Sequence, residues 1–495
     1  MNRSVRTTVG LSLALLGVAG CDNWLTGPGL TENPNSPVGA TPQQQLIAVQ
    51  ASAWTRLEGQ LARNATMWTQ QFIGTNNQQL TYGTQYQWTE TDVGAQMTGF
   101  YTGGGLVGLR NIQAASNTAG DAFLEGIADV WEGFTMGTAA SIWGDLPYSE
   151  AVSDVTTPKL DTQQELYAAV QAKLDEGIAL LQPLAATATG NCEAADVVYC
   201  SAVITKQLQV QRWIRAAYTM KARFYLHMAE RDGAPAYALA LAAANQGINE
   251  VPTSVNNAID GAGPGDFRSW HGSTLDQDGN IWGEFLTSRL DFAAGDVIIQ
   301  LLTSRNDPRR PRYFEPNAAG NFVGRDRNNV SVPAGATPSN LSNVRRALNF
   351  KQPLVTWAET QLIIAEANCS PNVNVAARPA ACTGNAAAIT AATASVNAVR
   401  TSVGLATLGT VTLDDIMIEK YLAQFQNIDV WNDYKRTCLP ATIRPFGTAV
   451  EVPGRMVYAS AERNTNPNIP TPNAYPAGTT GSARLRNWND PFACP

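Results

Sequence analysis

The sequence predicts a mostly α protein, a superhelix of tetratricopeptide-like helix pairs carrying long irregular loop insertions. Three observations predict it. Apolar residues recur at helical spacing in segment after segment, those segments open on polar capping residues, and residues 252–345 between them are dense in Gly, Asn, Asp and Pro. With 495 residues, 44% hydrophobic and 15% charged, the chain has material for a large core and too little charge for a disordered one.

Taken in chain order, residues 1–20 place Arg3 and Arg6 before a short apolar run and small residues, the layout of a secretory signal rather than a membrane span. Val18-Ala19-Gly20-Cys21 looks like a bacterial lipobox, so Cys21 is the expected lipidated N-terminus of the mature protein. Residues 21–42, rich in Gly, Pro and Asn without periodicity, read as an extended leash, and 43–495 as a single helical domain. Two or more acyl chains anchor a protein stably, so this one is expected to sit on a membrane without crossing it. Losing Arg3 and Arg6 with the signal takes the net charge from −7 to −9, which argues against nucleic acid as a partner.

Asp121 is a candidate N-cap for a helix over 121–142 that carries Leu124, Ile127, Trp131 and Phe134. It ends in SIWGDLPYSEA, residues 141–151, where Gly144 can take positive φ and Pro147 pushes Leu146 out of the helical region. Trp143 and Tyr148 can pack around that bend, and we read it as structural. Thr162 and Glu165 form a capping box before Leu166, Val170, Leu174, Ile178 and Leu181. Residues 206–231, with Trp213, Ala217, Met220 and Phe224, and the Ala-rich 234–247 make a helical hairpin across Asp232-Gly233. Leu354, Trp357, Leu362 and Ala365 mark a further helix, and Thr412 opens one expected to carry Ile418, Leu422, Phe425 and Ile428. Small residues at the close contacts resemble tetratricopeptide units, without a clean 34-residue repeat.

Six cysteines remain beside Cys21, an even number in an exported chain, and six allow fifteen pairings. We expect Cys192 with Cys200, Cys369 with Cys382, and Cys438 with Cys494. Zinc is the weaker alternative, because there is no CxxC pair and the two histidines are His227 and His271.

GDLPYSEA after a helix, Asp22-Asn23-Trp24-Leu25 after the lipobox, Asn33-Pro34-Asn35, EKYLAQFQNIDVWNDYKRTCLP, and VPGRMVYASAERNTNPN at 452–468 together resemble the SusD/RagB family of nutrient-binding outer-membrane lipoproteins. The resemblance implies a surface-exposed lipoprotein on a tetratricopeptide-like scaffold. It would act as the lid of a SusC-like TonB-dependent transporter and help deliver oligosaccharides or peptides, with no cofactor. The extra cysteines, Cys438 in KRTCLP among them, depart from the general family pattern.

Sugar rings offer an apolar face and hydroxyls, so their expected partners are loop aromatics beside amides and carboxylates. Two loops qualify. Residues 74–92 carry Asn76, Asn77, Tyr82, Tyr86 and Trp88; residues 269–285 carry Trp270, Asp278, Asn280 and Trp282. Asp276-Gln277-Asp278-Gly279-Asn280 starts like a calcium loop but has Thr287 where the bidentate Glu belongs, so a plain turn is expected and no metal. His227 in its apolar helix reads as core; for His271, ligand contact and packing stand even. A phosphate loop, a nucleophile elbow and a metal-ligand cluster are all missing, which disfavours an enzyme; a glycoside hydrolase would need two carboxylates facing across a cleft. The other alternative is an interaction scaffold without a small ligand, whose aromatics would line a helical groove.

Overall fold

The computed structural model describes residues 39–494 apart from 273–278, 290, 328–336, 370–381, 448, 450, 471–485 and 491–493. The signal segment, Cys21 and nearly all of the leash lie outside the described residues. The first helix, α1 (Pro42–Ala51), opens on a capping box in which Thr41 and Gln44 satisfy each other's backbone N–H. It packs against α2 (Leu106–Ala119), which runs antiparallel into α3 (Ala122–Trp143), capped by the Asp121 carboxylate on the N–H groups of Phe123 and Leu124. Next along the chain come α4 (Gln163–Leu181), with the Thr162/Glu165 box in place, α5 (Lys206–His227) and α6 (Ala234–Ala244). The long buried α3 lies close along α4 because glycines line the seam. A Cβ on Gly177 would stand 2.8 Å from the Gly126 carbonyl oxygen, and one on Gly133 would stand 2.7 Å from Leu174 Cγ.

The 141–151 bend locks α3 to its surroundings. Gly144 sits at φ +78°, Trp143 Nε1 donates to the Val457 carbonyl at 3.0 Å, and Asp145 accepts the first helical N–H of α4 from Gln163 at 2.7 Å. The Tyr148 hydroxyl donates to Glu132 at 2.8 Å. The described residues of the 252–345 insertion carry regular structure that its composition does not announce. Short antiparallel pairs, Phe72–Gly74 with Phe292–Ala294 and Phe267–Arg268 with Pro353–Val355, tie it to segments outside it, and Phe314–Glu315 pairs with Asn340–Leu341 within it.

The C-terminal half adds α7 (Trp357–Cys369), α8 (Ala386–Ser402), α9 (Leu413–Ala423) and α10 (Asp429–Thr437). The single helix expected from Thr412 through Ile428 is two. Gln426 takes φ +67°, and its N–H is captured by the Gln71 side chain at 3.1 Å, so the chain turns before Asp429. Helices α2 and α8 have no counterpart in the sequence reading, because alanine, serine and threonine dilute their apolar periodicity.

Three disulfides close as expected: Cys192–Cys200, Cys369–Cys382 and Cys438–Cys494. The last ties down a C-terminal strap in which the Asn487 side chain donates to the Ser141 carbonyl at 2.7 Å and that of Asn489 to the His227 carbonyl at 2.9 Å. Because this bridge closes a long loop in the unfolded chain, the double substitution Cys438→Ser/Cys494→Ser should lower the unfolding free energy by about 2–4 kcal/mol. Denaturant titration under non-reducing conditions measures it, and a midpoint equal to wild type removes the assigned role of the bridge.

Candidate functional site

The two aromatic loops each contact the segment Glu58–Asn64. Residues 74–92 leave the Phe72–Gly74 strand and coil into a π-helical turn over Gln79–Thr84, which returns the chain to the helix Gln60–Trp68. There the Gln79 and Gln60 amides exchange hydrogen bonds at 3.2 and 3.3 Å, and Gln60 also donates to Asn64 at 2.8 Å and accepts from Arg63 at 3.0 Å. The second loop arrives through His271, whose Nε2 lies 3.0 Å from both carboxylate oxygens of Glu58.

Within this arrangement several expected contact residues are interior. The Trp88 indole stacks on Tyr82 with centroids 4.5 Å apart and meets Trp68 edge-on, and its Nε1 donates to the Tyr82 carbonyl at 3.0 Å; the ring is 2% exposed. Tyr86 is buried under the Arg327 guanidinium, 4.7 Å above its ring. Trp282 is 1% exposed, on the helix Ile281–Ser288, packed against Phe72 and Phe292 at 5.5 and 5.8 Å. Asn280 is equally buried. Its Nδ2 donates to the Arg345 carbonyl at 2.9 Å, and its Oδ1 accepts the Trp282 N–H at 3.1 Å. These four side chains hold the loops in place and present no surface for a ligand to stack on. A polar loop with a few large rings folds back over them, since burying an aromatic is worth more than displaying it. Asp278 and most of the calcium-like stretch lie outside the described residues.

At the surface remain Asn76, Asn77, Tyr82 and Trp270, the first two exposed and the last two half-buried. Asn77 donates to Asp291 Oδ1 at 3.0 Å, which fixes its amide at the loop tip. The Tyr82 hydroxyl donates to Asp92 at 2.7 Å; burial and this carboxylate push it up to about 12, so it stays protonated and able to donate. The Asp92 carboxyl loses some solvation, but bonds from Thr89 and Tyr82 outweigh that and hold it below its ordinary value. Asn76, Asn77, Tyr82 and Trp270 each keep surface exposure, and amides, a fixed phenol and an indole are groups suited to a hydroxyl-rich or amide-rich ligand with an apolar side. Both histidines are structural: His227 bridges the Tyr167 hydroxyl and Asp429 at 3.1 and 3.0 Å, and His271 is buried on Glu58.

The polar belt of Glu58, Gln60, Arg63, Asn64 and Gln79 was missed in the sequence. Its one signal was Gln60, Arg63 and Asn64 at helical spacing within an otherwise buried helix.

A family model described as starch-binding and associating with the outer membrane, SusD-like_2, matches residues 34–459. The chain belongs to the SusD-like family. Solved structures agree on the fold. A SusD/RagB family protein from Bacteroides thetaiotaomicron is 20% identical, with TM-score 0.64 over 87% of this chain and 95% of its own. A SusD homolog from Bacteroides fragilis is 18% identical, with TM-score 0.67 over 91% and 99%. A chitin-binding SusD homolog from Flavobacterium johnsoniae is 16% identical, with TM-score 0.66 over 91% and 97%. No curated protein matches the chain. The family match runs through both the helical body and the aromatic loops. Among the described residues no helix is long and apolar enough to cross a membrane.

If Asn77 and Trp270 meet the ligand, Asn77→Ala and Trp270→Ala should each weaken binding by about tenfold, ~1.4 kcal/mol. Calorimetric titration with the best binder from a glycan and peptide array measures this, and unchanged affinity in both variants places the ligand elsewhere.

Proposed function

We propose that this SusD-like protein is a lipid-anchored protein of the cell surface. It captures an oligosaccharide or short peptide on the 74–92/269–285 loop face and acts as the lid partner of a TonB-dependent outer-membrane transporter. The observation that carries the reading is that both loops hydrogen-bond to the Glu58–Asn64 segment while Asn77, Tyr82 and Trp270 keep surface exposure. The chitin-binding relative from Flavobacterium johnsoniae supports a saccharide among the candidate ligands. Few contacts favour micromolar capture, which suits a protein that must release its cargo. The part we assign it is binding rather than catalysis. Among the described residues the carboxylates Glu58, Asp291 and Asp92 are engaged with His271, Asn77 and Tyr82, rather than facing one another as a hydrolytic pair would.

The anchoring half of the proposal has its own test. Cys21→Ala should move the protein from the outer-membrane fraction to the soluble one and abolish its co-isolation with a TonB-dependent transporter at native abundance. Retention of the variant in the membrane fraction overturns the lipoprotein reading.

A further inference from the structure

On the helical side, between α4, the C-terminal end of α5 and the start of α6, lies an open groove of about 470 Å³. That is the size of cavities that hold small organic ligands, ~300–1,000 Å³. It shares no residue with the loop face. Phe224, Met228 and Ala236 form its buried floor, half-buried Tyr225 and the 48% exposed Leu239 form its sides, and Asp232 stands at its rim.

Asp232 is the informative group. Among the described residues its carboxylate makes no ion pair and no hydrogen bond; the residue is exposed at the rim, and partial burial raises its carboxyl above its ordinary value. The cations on the adjoining turns have other partners, and the Lys221 ammonium also lies 5.6 Å from the centroid of the Tyr225 ring. Lys221 sits 2.6 Å from Asp175, and Arg231 donates to the Trp488 carbonyl at 2.5 Å while its guanidinium covers the Trp488 ring at 5.3 Å. The groove therefore combines aromatic and aliphatic walls with one rim carboxylate that no cation among the described residues pairs with.

We propose that this groove binds an ammonium ligand with an apolar body, its aromatic or branched part against Phe224, Tyr225 and Leu239 and its positive group at Asp232. A positive charge gains there from the Asp232 carboxylate, and the apolar body gains from burial against Phe224 and Leu239. A free organic amine and the N-terminal residue of a short peptide carry the same chemistry.

The test titrates the mature full-length protein with 2-phenylethylamine, 2-phenylethanol and 3-phenylpropanoate, with binding followed by saturation-transfer NMR. The amine should bind about tenfold more tightly than the alcohol, and the carboxylate most weakly. Asp232→Asn should erase the advantage of the amine while leaving the alcohol nearly unchanged. Leu239→Trp, a change at an exposed position that fills the groove, should weaken amine and alcohol alike. Phe-Ala-Ala against its N-acetylated form separates the sources: binding by the free peptide alone identifies a peptide N-terminus, whereas amine binding without peptide binding identifies free amines. Equal affinity for amine and alcohol, an amine preference that survives Asp232→Asn, or no amine binding at all overturns the proposal.

Discussion

Replacing Glu366 by alanine should destabilise the protein by about 3–5 kcal/mol, because it strips the shared anion from two buried cations. Glu366 accepts from both ends of the Arg436 guanidinium, at 2.9 Å on Nη2, and from Lys420 Nζ at 3.0 Å. Asp433 takes the other side of the same cations, at 2.7 Å from Arg436 and 2.9 Å from Lys420. These four side chains, all buried, pin α7, α9 and α10 together. In Glu366→Ala one carboxylate faces two charges inside the core. The same cluster sets a pH dependence. Burial alone would raise the Glu366 carboxyl, but Arg436 and Lys420 outweigh it and hold it at about 2 against an ordinary 4.5. A carboxyl held down on folding contributes stability that is complete above its unfolded value. That contribution should therefore drain away as pH falls from about 4.5 towards 2. Urea titrations of wild type and variant across that range measure both effects, and parallel curves at all pH values refute the assignment.

Trp282→Ala should cost a further large amount, about 3–5 kcal/mol, as a buried aromatic truncation that leaves a cavity between Phe72, Phe292 and the helix Ile281–Ser288. The effect on ligand affinity, measured well below the variant's melting point, should be small by comparison, since the indole touches core and not solvent. A variant with wild-type stability and lost binding would return Trp282 to the ligand surface.

Much of the fold was legible because its signals are local. Asp121, the Thr162/Glu165 pair and Thr412 cap the helices they were assigned to, and the three cysteine pairs close. The break at Gln426 was not legible, because it depends on the side chain of Gln71, distant in sequence. The site shows the same division. Composition singled out the two candidate loops, but not which of their rings face outward, since burial of Trp88 and Trp282 depends on Trp68 and Phe72 outside them. The amide belt at Gln60 and Gln79 has no composition signal, and Asp232 in its groove could be found only once α4, α5 and α6 were placed together.

The most direct test of the central claim is amide hydrogen exchange on the mature protein with and without the best oligosaccharide or peptide from an array. The account predicts slowed exchange over residues 74–82 and 269–272, with little change along α3 and α4. Slowing confined to the helix pairs, with both loops unaffected, would contradict it and favour a helical interaction scaffold.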